Sequence, residues 1–79
     1  MDKNKFKSML ELLIPQIVEI IIKEYKITDV EAVDVFYQTK LYSLLEQEDT
    51  KLWHFSPLTL FHMFDEERKT GKITFPEGV

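Results

Sequence analysis

The stretch LELLIPQIVEIII, residues 10–22, decides the fold. On a helical wheel of about 100° per residue, its apolar side chains cover an arc of roughly 200°, wider than the roughly 100° stripe of an ordinary surface helix. The arc consists of Leu10, Leu13, Ile14, Ile17, Val18, Ile20, Ile21 and Ile22. A helix this apolar has to bury both of its flanks, either against its own chain or against a second subunit.

Pro15 lies inside this helical pattern. A proline removes one helical hydrogen bond and clashes with the carbonyl four residues earlier, which here belongs to Glu11. We therefore expect a kink at Pro15, or a break into two shorter helices with Pro15 in the first turn of the second. The run Ile20-Ile21-Ile22 also fits a strand, but the length and spacing of the whole segment favour a helix that ends at Tyr25.

Local signals predict three further helices. The segment Thr28-Asp29-Val30-Glu31 is a capping box that starts the second helix. Thr39 is the candidate cap of the third helix, and Ser56-Pro57 combines a cap with a favoured first helical residue for the fourth. Gly71 ends the fourth helix in a left-handed conformation.

Helical spacing also predicts which residues these helices bury. For the second helix the predicted buried stripe is Val30, Val33, Phe36 and Tyr37. For the third it is Leu41, Leu44 and Leu45, with Leu52 on the same face, and for the fourth it is Leu60, Phe61 and Phe64, flanked by Met63 and Leu58.

The segment Lys72–Pro76 alternates apolar and polar residues and is too short to form a sheet alone. We expect an extended tail that folds over the helices through Ile73 and Phe75. The predicted architecture is therefore all-α: one helical domain over residues 1–79, built as a bundle of four short helices, or five if the first breaks at Pro15, with an extended C-terminal tail.

Composition limits the function classes. The chain has 79 residues, no cysteine and a formal net charge of −4. It therefore forms neither disulfides nor thiolate metal sites, and its charge disfavours binding to nucleic acid. Charged residues interrupt the N-terminal apolar run, so we expect neither a secretory signal nor a membrane span, and we predict a cytoplasmic protein.

No pattern of residues indicates catalysis or a cofactor. The serines lie in no recognisable nucleophile turn, and the two glycines stand apart rather than in a phosphate-binding loop. His62 and Asp65 are spaced i,i+3 on a helix, with His54 nearby, but the sequence supplies no further converging ligand. The acids occur in surface runs. We therefore predict a protein that is not an enzyme and has no catalytic, cofactor-binding or metal site.

Aromatic residues supply the most distinctive segment, Leu52-Trp53-His54-Phe55-Ser56-Pro57. Phe61 and Phe64 are expected in the core, whereas Trp53 fits either the core or an interface, where tryptophan and tyrosine are favoured. Tyr37 and Tyr42 could frame the same surface as Trp53. The candidate interaction surface consists of Ile14, Val18, Ile21, Ile22, Tyr37, Tyr42, Trp53 and Phe55.

The second half of the chain resembles a group of short bacterial helical proteins. The resemblance lies in Val35-Phe36-Tyr37, Leu41-Tyr42, Leu44-Leu45, the segment 48–53, Ser56-Pro57 and Gly71-Lys72-Ile73. Members of that group are often encoded beside other small helical proteins and ADP-ribosyltransferase-like toxins. The resemblance implies an antitoxin-like or accessory role in a bacterial operon, and it carries no catalytic residues.

These observations predict a non-enzymatic protein-interaction module. Its expected partner is a second copy of the chain, as a homodimer, or a neighbouring toxin-like protein, and neither nucleic acid nor a membrane is expected. The alternative is a small transcriptional regulator that binds DNA as a dimer. Against that alternative, the third helix offers only Lys40 and Gln47 for base contacts, and Arg68 is the only arginine in the chain.

Overall fold

The computed structural model describes residues 3–73, which form an all-α domain as predicted. The helices are α1 (Lys3–Tyr25), α2 (Asp29–Tyr37), α3 (Lys40–Leu45) and α4 (Pro57–Thr70), and two short 3₁₀ turns, η1 (Glu48–Thr50) and η2 (Leu52–His54), join α3 to α4. No strand occurs within residues 3–73. Of the predicted tail anchors, Ile73 packs against the core, whereas Phe75 lies outside the described residues.

Helix α1 is the central element, and its wide apolar arc is confirmed. Ile17 and Ile21 are completely buried, and every other member of the arc is buried or half-buried. Helices α2 and α4 and the turn η2 all pack against α1. The chain therefore buries the centre of the arc itself and leaves its edges, at Leu10, Ile14, Ile20 and Ile22, half-buried. None of the helices within residues 3–73 combines the length and apolarity that crossing a bilayer requires.

Of the two alternatives predicted at Pro15, a kink or a break, the structure excludes the break, because α1 runs as one helix from Lys3 to Tyr25. Two contacts oppose a break. The Gln16 side-chain amide donates to the carbonyl of Leu12 at 2.9 Å, which adds a hydrogen bond beside the one that Pro15 removes. Buried side chains on both sides of the proline, Leu13 and Ile17, hold the two halves of α1 to the same core.

The predicted caps are confirmed at the helix ends. The Thr28 and Glu31 side chains form both hydrogen bonds of the capping box. Ser56 Oγ accepts from the Thr59 amide at 3.2 Å, with Pro57 as the first residue of α4. Gly71 ends α4 with φ +78°, a conformation that costs glycine little.

A buried threonine joins α2 to α3. The Thr39 hydroxyl donates to the Phe36 carbonyl at the end of α2 (2.6 Å) and accepts from the Tyr42 amide in α3 (3.1 Å). The Glu67 carboxylate, from α4, accepts from the Lys40 and Leu41 amides at 2.9 and 3.0 Å. These bonds satisfy the free amides of the first turn of α3 and fix the corner between α2 and α3.

The predicted buried stripe of α2 is wrong for three of its four members. Phe36 is buried together with Ala32, but Val30, Val33 and Tyr37 face solvent, and Val30 is 75% exposed. Helix α2 has apolar residues on two faces. The small Ala32 side chain lets the face that carries Ala32 and Phe36 lie close against α1. The capping contacts at Thr28 and Thr39 fix this rotation.

The other predicted stripes are mostly confirmed. Leu41 and Leu45 are buried and Leu44 is half-buried. Leu60, Phe61, Met63 and Phe64 are buried, but Leu58, in the first turn of α4, is 55% exposed. Leu52 is fully buried from its place in η2. The Phe36 and Phe64 rings, with centroids 5.8 Å apart, join α2 to α4 in the core.

Replacing Ile17 by Asp tests the central position of α1. A buried, unpaired carboxylate costs several kcal/mol, which is comparable to the total stability of about 5–15 kcal/mol expected of a small domain. We expect Ile17→Asp to abolish the cooperative thermal transition followed by circular dichroism. Leu12→Asp is the matched control on the same helix, because Leu12 is 71% exposed and its replacement should leave the transition in place. A cooperative melt of Ile17→Asp would contradict the placement of α1.

Replacing Pro15 by Ala tests the cost of the proline. A proline in a helix interior is less favourable than alanine by about 3 kcal/mol, partly offset by its restriction of the unfolded chain. Since Pro15 is exposed, we expect Pro15→Ala to stabilise the domain by about 2 kcal/mol in urea unfolding. Glu19→Ala, at an exposed site of the same helix, should change stability by less than about 0.5 kcal/mol. Unchanged or lower stability of Pro15→Ala would show that the local structure requires proline.

Candidate protein-interaction groove

An open groove of about 340 Å³ lies between the N-terminal half of α1 and the corner where α2 meets α3. We call it the tyrosine groove. Its lining residues are Lys7, Leu10, Glu11, Ile14, Pro15, Tyr37, Tyr42 and Glu46. The apolar edge of α1 forms one wall and the two tyrosines form the other, and together they make the apolar floor of the groove. The charged residues lie at its exposed rim.

The tyrosine wall is built on the core. The Tyr37 and Tyr42 rings stack with their centroids 4.3 Å apart and an interplanar angle of 14°. The Tyr42 ring also meets the buried Phe36 ring edge-on, at 5.5 Å and 70°. Tyr42 is half-buried, whereas Tyr37 is 48% exposed. The core therefore holds Tyr42 in place, and Tyr42 in turn supports the more exposed Tyr37.

The polar end of this wall is acidic. Burial, followed by the Glu46 carboxylate and the Tyr37 hydroxyl, raises the pKa of Tyr42 to about 12. The Tyr42 hydroxyl therefore stays protonated at neutral pH and acts there as a hydrogen-bond donor. The groove thus presents an apolar surface with the Glu46 carboxylate beside Tyr42.

An exposed apolar stripe on α2 continues from the groove. Val30, Val33 and Tyr37 follow the spacing i, i+3, i+7, which places them on one side of the helix. We call these three residues the valine stripe. Because Tyr37 belongs to both features, the tyrosine groove and the valine stripe share an edge.

The structure brings together three of the eight predicted interaction residues, namely Ile14, Tyr37 and Tyr42. Val18 and Ile21 are buried in the hydrophobic core, so a partner protein cannot contact them. Ile22, Trp53 and Phe55 are half-buried and line no part of the groove. The sequence analysis did not place Leu10 and Pro15 on this surface, although Leu10 belongs to the same apolar arc as Ile14.

Trp53 and the two tyrosines line different depressions. The Trp53 indole N–H donates to the Glu48 carbonyl at 2.9 Å, and Trp53 lines a shallow depression with Glu48, Asp49 and Lys51. Trp53 thus fastens η1 to η2 through a half-buried ring. This contact gives the side chain a structural role in the connection between α3 and α4.

A second cleft lies where the end of α1 meets α4, and its polar groups bind one another. The Tyr25 hydroxyl donates to Asp65 Oδ1 at 2.6 Å, and Lys69 Nζ lies 2.9 Å from Asp65 Oδ2, one helical turn away along α4. The Arg68 guanidinium lies over the Tyr25 ring, 5.5 Å from its centroid. The hydrogen bonds from Tyr25 and Lys69 lower the pKa of Asp65. Burial, followed by the hydrogen bond to Asp65, raises the pKa of Tyr25 to about 12. These contacts fasten the end of α1 to α4.

His62 also borders this cleft. Within residues 3–73, no three histidine, aspartate or glutamate side chains converge in a way that could hold a metal ion. Comparison of the chain with protein-family models, curated proteins and solved structures gives no match.

Replacing Tyr25 by Phe tests the contact with Asp65. A hydrogen bond to a carboxylate contributes about 1–2 kcal/mol, so we expect Tyr25→Phe to lose that amount of unfolding free energy at pH 7. Because the folded pKa of Asp65 lies below its ordinary value of 3.8, this stabilisation is present above that pH and is lost as the pH falls further. In urea unfolding the difference between wild type and Tyr25→Phe should therefore shrink as the pH falls below 3.8.

Asp65→Asn keeps an acceptor for Tyr25 but removes the group that titrates, so this variant should lose less stability than the wild type as the pH falls below 3.8. An equal loss of stability in wild type and Asp65→Asn would assign the acid sensitivity to other carboxylates.

Proposed function

We propose that the chain is a non-enzymatic protein-interaction module that binds a partner protein through the tyrosine groove and the valine stripe. The observation that carries the proposal is the exposure of the valine stripe beside an apolar groove. Val30 is 75% exposed and Tyr37 is 48% exposed, although both follow the spacing of core residues. An apolar surface with this spacing gains free energy when a partner covers it.

The composition of the surface supports the same proposal. Tyrosine is enriched at protein interfaces and among the residues that contribute most to binding, because it offers a large, rigid area that loses little conformational entropy. The stacked Tyr37 and Tyr42 rings provide such an area. The charged side chains of Lys7, Glu11 and Glu46 surround the apolar floor, in the way that a polar rim surrounds the centre of an interface.

The resemblance of the second half of the chain suggests where the partner is encoded. In an antitoxin-like or accessory role, the partner would be a protein encoded beside this chain, and this module would cover part of its surface. The alternative, DNA binding, is disfavoured because Glu11 and Glu46 line the groove and would repel phosphates.

Affinity capture with face variants tests the proposal. Tyr37→Ala and Val30→Glu alter the open surface, and Leu12→Glu and Leu58→Glu are matched controls at exposed apolar residues elsewhere. Truncation of a residue important for binding costs about 2 kcal/mol or more, or roughly 30-fold in affinity. We expect both face variants to lose a partner that wild type and both controls recover from the host lysate, as measured by quantitative mass spectrometry.

Each variant is first checked for a wild-type melt by circular dichroism, so that loss of a partner reports on the surface and not on folding. Recovery of the same proteins by wild type, face variants and controls alike would contradict the proposal. Loss of the partner in the control variants alone would place the binding surface elsewhere on the molecule.

A further inference from the structure

The open surface carries an excess of negative charge. Of the charged residues that line the tyrosine groove, Glu11 and Glu46 are carboxylates and Lys7 is the lysine. Asp29 borders the valine stripe, and Asp34 lies on the exposed side of α2 between Val30 and Tyr37. The surface therefore presents four carboxylates and one ammonium group around its apolar centre.

The shape of the groove suits a helix. One wall is a helix edge, at Leu10 and Ile14, and the other is a pair of stacked rings that stands at the corner of α2 and α3. An amphipathic helix binds in such grooves by inserting apolar side chains spaced i, i+3, i+4 and i+7. The valine stripe extends the apolar surface in one direction along α2, which provides room for more than one turn of a bound helix.

We propose that the occupant of this surface is a basic amphipathic helix of a different protein, an inference that rests on the proposed function. Lysine or arginine residues beside the apolar stripe of such a helix would face Glu11 and Glu46 at the groove and Asp34 on α2. Their aliphatic stems would cover the tyrosine rings, and their charged ends could lie over the exposed side of Tyr37.

A second copy of the chain fits less well for the same reason. Two copies that paired through this surface would bring Glu11, Asp34 and Glu46 of each molecule close to the same carboxylates of the other. The whole chain carries a net charge of −4, so electrostatic repulsion opposes their approach at longer range as well. Complementary charge therefore favours a cationic partner over self-association.

Two designed peptides test the charge of the partner. Both are about 18 residues long, long enough to form a helix, and share one apolar stripe of leucines. One carries lysines beside the stripe and the other carries glutamates. With labelled peptides and the full chain, fluorescence anisotropy in about 50 mM salt should show the lysine peptide binding at least tenfold more tightly than the glutamate peptide. This preference should shrink in about 500 mM salt, where surface charges are screened.

Charge reversal in the protein provides the specific control. Glu11→Lys combined with Glu46→Lys should reverse the preference, so that the glutamate peptide binds more tightly. Glu19→Lys combined with Glu24→Lys changes the net charge by the same amount outside the tyrosine groove and should keep the preference for the lysine peptide. Tyr37→Ala should weaken binding of the lysine peptide at least tenfold.

Several results would overturn the inference. Binding of neither peptide, equal binding of both, or equal effects of the two double variants would exclude a basic helix as the occupant. Light scattering that shows a dimer disrupted by Tyr37→Ala would assign the surface to a second copy, and tighter binding of duplex DNA than of the lysine peptide would assign the module to nucleic acid. If the lysine peptide fails to bind while Tyr37→Ala still loses the host partner, the proposed function stands and its partner has a different chemistry.

Discussion

Helix α1 is apolar over more than half of its circumference, and the positions of the other elements follow from the need to cover it. Helix α2 and helix α4 each lie against it, and η2 closes the remaining gap with the fully buried Leu52. A chain of 79 residues without cysteine has no covalent crosslink to support this packing. Its stability therefore depends on how completely α1 is covered, and Ile17 and Ile21 reach full burial.

The sequence determines the helix ends well because the chemistry there is local. Thr28 and Glu31 are three residues apart, and Ser56 acts on an amide three residues ahead, so each signal is contained within one turn. The cap that Glu67 adds to α3 is different. It joins residues 26 and 27 positions apart, and only the packing of α4 against α3 reveals it.

The rotation of a helix is harder to predict than its existence. The spacing of Val30, Val33, Phe36 and Tyr37 indicates an apolar face, but Ala32 marks a second one. Periodicity alone does not show whether the fold buries the face with one small residue or the face with the valines. The structure buries Ala32 and Phe36 because alanine allows close approach of the backbones and Phe36 reaches Phe64 in α4. The spacing therefore assigned all three residues of the valine stripe to the predicted buried face of α2.

Pro15 shows a similar limit. Proline chemistry correctly predicts a missing hydrogen bond, but it does not include the Gln16 amide that donates to Leu12, or the buried residues that hold both halves of α1. The consequence extends to the candidate site, because Pro15 stays in a continuous helix and lines the tyrosine groove beside Ile14.

The tyrosine groove is organised by the same contacts that hold the core together. Thr39 fixes the corner between α2 and α3, and this corner sets Tyr37 against Tyr42. Phe36 is buried beneath them and meets the Tyr42 ring edge-on, so this contact with the core restricts the movement of the Tyr42 ring. A partner that binds there would meet side chains already held in place, and would lose less conformational entropy than on a mobile loop. The link between core and surface therefore gives the apolar groove a preformed shape, and under the proposed function its carboxylates would select among partners by charge.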